Sequence, residues 1–244
     1  MIHHIDVLPP LPASVIGCQI QTLVGCYQNL KGFLSLYRSL QGGVLCQFEN
    51  RLLICGEVDA VELHSFAKMT GVTVIEGLAP DLIGLDGYAF FEHTVLQHAD
   101  AHLLAAEQAV EHPDDPKQVY ELLCQTDVDF MAQTAYLPWL SDLRLRQRKG
   151  YAELFWIEGM SCACVSAKGC GLGLISQLAT HKSLRRQGLA KKLLDHICAH
   201  LSAEALMPVI LAQDEMLTGF YQQNGFTPCG RYIILKQNQE EHQT

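Results

Sequence analysis

Apolar residues return every four positions at Leu189, Leu193, Ile197 and Leu201, which predicts an amphipathic helix over Arg186–Leu201. The short apolar run Leu172–Thr180 before it reads as a strand. Upstream, Lys117–Gln125 has helical spacing after a Pro-Asp-Asp-Pro start signal. Phe130–Leu145 reads as a second helix, broken near Pro138. Tyr151–Ile157 and Met160–Val165 read as strands joined by Glu158-Gly159, and Ala167–Gly173 as a turn. Pro208–Ala212 is a further strand. Met216–Gln223 is a short helix stopped by Asn224-Gly225, and Arg231–Leu235 is the last strand. Two helices, three strands, helix, strand, helix, strand is an α+β order with a mixed, mostly antiparallel sheet and flanking helices.

The first half gives a weaker pattern. Leu30–Leu40 reads as a helix, and Gly43–Phe48 with Arg51–Gly56 as a hairpin around Glu49-Asn50. Asp59–Thr70 is helical, with Asp59 as N-cap and Gly71 as C-cap. Val72–Ile75 and Ala89–Leu96 are short strands. The polar stretch Glu111–Pro116 is the expected boundary, which leaves a small α/β unit over 1–112 and a second unit over 113–244. Both halves run hairpin, helix, strand.

Of 244 residues, 49% are hydrophobic and 18% charged, enough for a full core. A net charge of -9 argues against nucleic acid as a partner. No apolar run approaches the roughly 20 residues needed to cross a bilayer. The N-terminus has no basic leader before an apolar run. A cytoplasmic chain without a membrane partner is expected. The ten cysteines are scattered and form no CxxC pair, so they read as small buried hydrophobes rather than disulfides or metal ligands.

The strand-to-helix joint carries candidate chemistry. It holds Arg185, Arg186, Gln187, Gly188, Leu189, Ala190 and Lys191. Such a joint presents backbone N–H groups and a positive helix end to a phosphate, and Gly188 has no Cβ to block the approach. A second stretch, PVILAQDEMLTGFYQQNGF over Pro208–Phe226, follows one strand later. Together the two resemble the GNAT superfamily of acyl-CoA-dependent N-acyltransferases. The family's loop, Q/R-x-x-G-x-G/A, corresponds to Arg185–Ala190, and its tyrosine helix ending in N-G-F corresponds to FYQQNGF. The likeness covers about Asp114–Leu235.

The resemblance implies acetyl-CoA as co-substrate; no metal is expected. It places the pantetheine arm along Leu178, Ala179 and Thr180, and the pyrophosphate on the N–H groups from Arg186 to Lys191. Asp214 stands where the family often has an asparagine that touches the cofactor arm. Tyr221 corresponds to the proton donor for the departing thiolate. A phenol held near sulfur can play that part on chemical grounds alone. The acceptor is expected to be a small-molecule amine. A protein N-terminus or lysine, and a non-catalytic acyl-CoA sensor, stay open as alternatives. The unit before residue 113 is expected to shape the acceptor pocket, to support a homodimer, or to be a degenerate acyltransferase-like half.

No general base is assigned. Ser176 and Gln177 lie on the strand, Glu153 and Glu158 on the neighbouring hairpin, and His181 just past the strand. Gly169-x-Gly171-x-Gly173 precedes a strand rather than a helix, so it reads as a hairpin turn and not a dinucleotide loop. His93, His98 and His102 lack a compelling further ligand.

Overall fold

The computed structural model describes residues 1–30, 32–78, 85–98 and 110–238. An eleven-stranded sheet runs through both halves in the order β1-β2-β3-β4-β5-β11-β6-β10-β9-β8-β7. The first half supplies β1 (His3–Ile5), α1 (Val15–Tyr27), β2 (Leu34–Arg38), β3 (Val44–Phe48), β4 (Arg51–Cys55), α2 (Ala60–Thr70), β5 (Val74–Gly77) and β6 (Tyr88–Gln97). The second supplies α3 (Pro116–Thr126), α4 (Val128–Gln133), α5 (Tyr136–Arg148), β7 (Glu153–Ile157), β8 (Ser161–Gly169) and β9 (Leu172–Thr180). It continues through α6 (Leu189–Ala203), β10 (Met207–Ala212), α7 (Glu215–Gln223) and β11 (Thr227–Gln237). Among the described residues no helix is long and apolar enough to cross a membrane.

The connectivity repeats. β2-β3-β4 and β7-β8-β9 are antiparallel meanders. In each half a helix then crosses to a parallel strand, α2 to β5 beside β4 and α6 to β10 beside β9. β1 extends the first meander, and an isolated bridge at Glu111↔Trp156 stands in the same relation to the second. The last strands are exchanged: β11 lies against β5, and β6 lies against β10. The two pair with each other along ten residues of β6, from Thr227↔Gln97 to Gln237↔Tyr88. That exchange makes one sheet of the two halves.

Packing follows the alternation of side chains across the strands. α2 and α6 cover one face, with Leu63 and Phe66 over Leu52, Ile54 and Ile75, and Leu193 and Ile197 over Ile175 and Ile210. α1, α3 and α5 cover the other. There a half-buried Arg51 pairs with the buried Glu76, which meets Tyr232, whose hydroxyl donates to Glu76 and lies 2.9 Å from Gln19 Oε1. Tyr232 is 1% exposed, so this polar group ties β11 to the first half from within the core.

Several local expectations change. Within the helix expected over Leu30–Leu40, Leu34–Arg38 is instead strand β2, where Leu36 faces the core and its neighbours Ser35 and Tyr37 the other side. The first-half helix is instead α1, capped by Ser14 Oγ accepting from Gly17 N at 3.1 Å. It is buried on nearly all sides and so shows little amphipathic signal. The break in the second helical run falls at Thr134-Ala135, and Pro138 sits in the first turn of α5, where a missing N–H is tolerated. α6 starts at Leu189 rather than Arg186, because Arg186 and Gly188 adopt φ of +63° and +80°.

Candidate active site

β9 and β10 pair only from Leu172↔Met207 to Ile175↔Ile210. Beyond Ile175, β9 runs on to Thr180 without its neighbour. On its other side, β8 pairs Cys164 with Ser176 but Cys162 with Ala179, so one residue of β8 faces both Gln177 and Leu178. This bulge, with Gln177 at φ +53°, bends the strand end away. The two strands therefore splay, and a cleft of about 750 Å³ opens between them. Its walls are the end of β9, the joint to α6, the β10–α7 turn, α7, and residues of α3 and α4.

The joint forms the cationic end. A 3₁₀ turn at Lys182–Leu184 leads into the two left-handed residues Arg186 and Gly188. Gly188 is the N-cap of α6 and supplies no side-chain cap. The first helical bond is Lys192 N to Gly188 O at 3.0 Å, so the N–H groups of Leu189, Ala190 and Lys191 have no partner within the helix. A Cβ built on Gly188 meets no atom within 4 Å, so the main chain there is open to an approaching group. Arg185 Nε donates to Thr180 O at 3.3 Å, Arg186 is exposed, and Lys191 pairs with Asp195 at 2.7 Å.

Leu178, Ala179, Thr180, Arg185, Arg186, Gly188, Leu189, Ala190, Lys191, Asp214 and Tyr221 all line the cleft; Gln187 does not. Asp214 is the N-cap of α7, its Oδ1 accepting from Leu217 N at 2.7 Å. Tyr221 is 6% exposed, packed edge-on against Phe220 and tilted against Phe226. Burial, and then the charge of Asp214, push its phenol up to about 12, so it stays protonated across the physiological range. Its hydroxyl makes no hydrogen bond among the described residues.

The carboxylates and histidine considered as bases lie elsewhere. Glu153 is bound to Lys168 and lies 3.0 Å from His200. Burial works against its ionisation, yet hydrogen bonds from Lys168 and His200 hold its carboxyl below the ordinary value. Glu158 and His181 line a separate depression beside Trp156. The cleft instead includes Asp127 and Phe130, from the α3–α4 corner, and Gln177. The first two gave no sequence signal, because their place follows from how α3 packs on β9.

The other candidates resolve as scaffold. Cys170 and Gly171 form the tight turn between β8 and β9 at positive φ, and Gly173 makes room for Leu201. His98 stacks edge-on against Phe226, His93 pairs across from Tyr232, and His102 lies outside the described residues. Glu153, His200 and Glu204 come together with the spacing of metal ligands, but the Lys168 ammonium is bound to both carboxylates. All ten cysteines are free thiols.

Residues 150–228 match the family model of the acetyltransferase (GNAT) domain. A GCN5-related N-acetyltransferase from Kribbella flavida shares the fold with a TM-score of 0.62 at 14% identity, over 96% of this chain and 98% of that one. A GNAT-family acetyltransferase from Colwellia psychrerythraea does so at 0.56 and 15% identity, over 98% and 100%. A tandem GNAT protein from the clavulanic acid biosynthesis pathway matches at 0.54 and 11% identity, over 95% and 92%. No curated protein matches the chain.

Proposed function

Because residues 150–228 form a GNAT acetyltransferase domain, we propose that this protein transfers the acetyl group of acetyl-CoA directly to an amine, most simply that of a small molecule. One observation carries the reading. The open N–H groups of the Gly188 joint and the protonated Tyr221 line the same cleft, which opens at a splayed strand end. The residues present fit the co-substrate. Bare N–H groups with Arg185, Arg186 and Lys191 suit a pyrophosphate. The strand end Leu178–Thr180 has backbone groups that β10 does not use, and these suit the amides of a pantetheine arm.

The chemistry then falls to few groups. A main-chain N–H at the bulge polarises the thioester carbonyl. The amine nitrogen bonds to the carbonyl carbon, the C–S bond breaks with its electron pair on sulfur, and the surplus proton of nitrogen leaves to water. Tyr221 faces the sulfur. Burial keeps the phenol protonated, so an O–H donor is always present beside the cleft. Tyr221 therefore acts by hydrogen-bonding the sulfur as charge develops there. Asp214 caps α7, which aims Tyr221.

We read the first half as a GNAT-like repeat that serves as scaffold. The repeated connectivity and the shared fold with a tandem GNAT protein support this. Isothermal titration with acetyl-CoA, followed by thiol release with a panel of amines, tests the reading. Binding plus amine-dependent thiol release supports it, and absence of acetyl-CoA binding refutes it.

A further inference from the structure

Gln177 stands at the root of the cleft, two residues beyond the last β9–β10 pair. Its backbone is left-handed at φ +53°, a strained conformation for a residue with a Cβ, and such strain gathers where a site imposes it. The main chain is held there: Cys162 Sγ lies 3.9 Å from Gln177 O and donates to it. The side chain is used differently. Its Oε1 is buried without a hydrogen-bond partner, and the amide bonds to none of the described residues. A buried carbonyl oxygen without a donor is costly, so a protein seldom keeps one that nothing needs. Gln177 lines the same cleft as Tyr221, at the bulge of β9.

We propose that Gln177 Oε1 receives the acceptor: it accepts a hydrogen bond from the N–H of the attacking amine and turns the nitrogen lone pair toward the thioester carbon. The proposal rests on the acetyltransferase reading. It selects an acceptor whose nitrogen carries a hydrogen, a primary or secondary amine. The amide is neutral, so it holds the amine without favouring its ammonium form. A carboxylate at the same place would favour the ammonium and oppose attack.

The test compares full-length wild type with Gln177→Met, which keeps the length and removes the amide, and with Gln177→Glu. Thermal midpoint, calorimetric affinity for acetyl-CoA, and thiol release with spermidine, tyramine and hydroxylamine are measured. In Gln177→Met the midpoint should hold or rise, acetyl-CoA affinity should stay within about twofold, and the acceptor KM should rise about tenfold, as for one lost hydrogen bond. In Gln177→Glu the rise of kcat/KM with pH should move up by about one unit. A midpoint several degrees lower in Gln177→Met, or an unchanged acceptor KM, overturns the proposal. Wild type that binds no acetyl-CoA sinks the functional reading itself. Wild type that binds it but acetylates none of the three amines sinks this proposal and leaves the binding site standing.

Discussion

The two halves of the sheet share one connectivity and differ at one joint. In the first half, β4 and β5 stay paired from Arg51↔Val74 to Ile54↔Gly77, which leaves only Cys55 beyond the last pair. The connection to α2 is short, Gly56–Asp59, and the Asp59 carboxylate closes the helix end by accepting from Glu62 N at 2.9 Å. Glu57, Asp59 and Glu62 would repel a phosphate. In the second half, β9 leaves β10 after Ile175, the connection runs from His181 to Gly188, and the helix end is capped by a glycine among cations. The same strand-helix-strand unit thus makes a closed scaffold or a phosphate site. Register, joint length and the charge of the cap decide which.

What the halves have in common gives the largest expected effect. Cys18 and Cys46 in the first half and Cys162, Cys164 and Cys198 in the second are pushed up to about 12 by burial. Their folded values lie above the unfolded one near 8.5, so the stability they contribute is complete below about pH 8.5 and is lost as pH rises toward 12. Each thiol removes about 1.4 kcal/mol per pH unit within that window. Urea melts at pH 8 and pH 10 should show a large fall in stability at the higher pH, in a single transition because the β6–β11 exchange joins the halves. Two separate transitions would break the sharing.

The difference between the halves should appear next. Gly188→Asp gives the second joint the cap of the first, sets a carboxylate in the cleft and strains a residue at φ +80°. Acetyl-CoA affinity by calorimetry should fall by about a hundredfold or more, as for an uncompensated charge repelling phosphate. Tyr221→Phe should leave that affinity unchanged and lower kcat by about tenfold to a hundredfold, the range of a lost proton donor or less. An unchanged kcat would take Tyr221 out of the chemistry, and wild type that binds acetyl-CoA without turnover would favour a sensor over an enzyme. Arg186→Ala should weaken binding several-fold, with most of the effect gone in high salt, since the side chain is exposed. Asp59→Gly combined with Glu57→Lys should create no second site, because β4 and β5 remain zipped.

The second half was the more legible in sequence. The spacing of Leu189, Leu193, Ile197 and Leu201 sits directly after Arg185–Gly188, and FYQQNGF follows in order. The α+β class and most cleft residues could be named from that, and the α2 caps Asp59 and Gly71 from their own local pattern. α1 could not, because a helix buried all round lacks a polar face to set its period. The leucines of Leu30–Leu40 suited either period, and only pairing with β3 makes β2 a strand. The splay, the bulge at Gln177 and the exchange of β6 with β11 depend on register between distant segments, which local pattern does not carry. For the same reason Gln177 read only as a position near which a base was sought.

The most direct test is a calorimetric titration of the full-length wild type with acetyl-CoA. The account predicts one equivalent bound per chain, at the Gly188 joint. No binding, or two equivalents from two working halves, would contradict it.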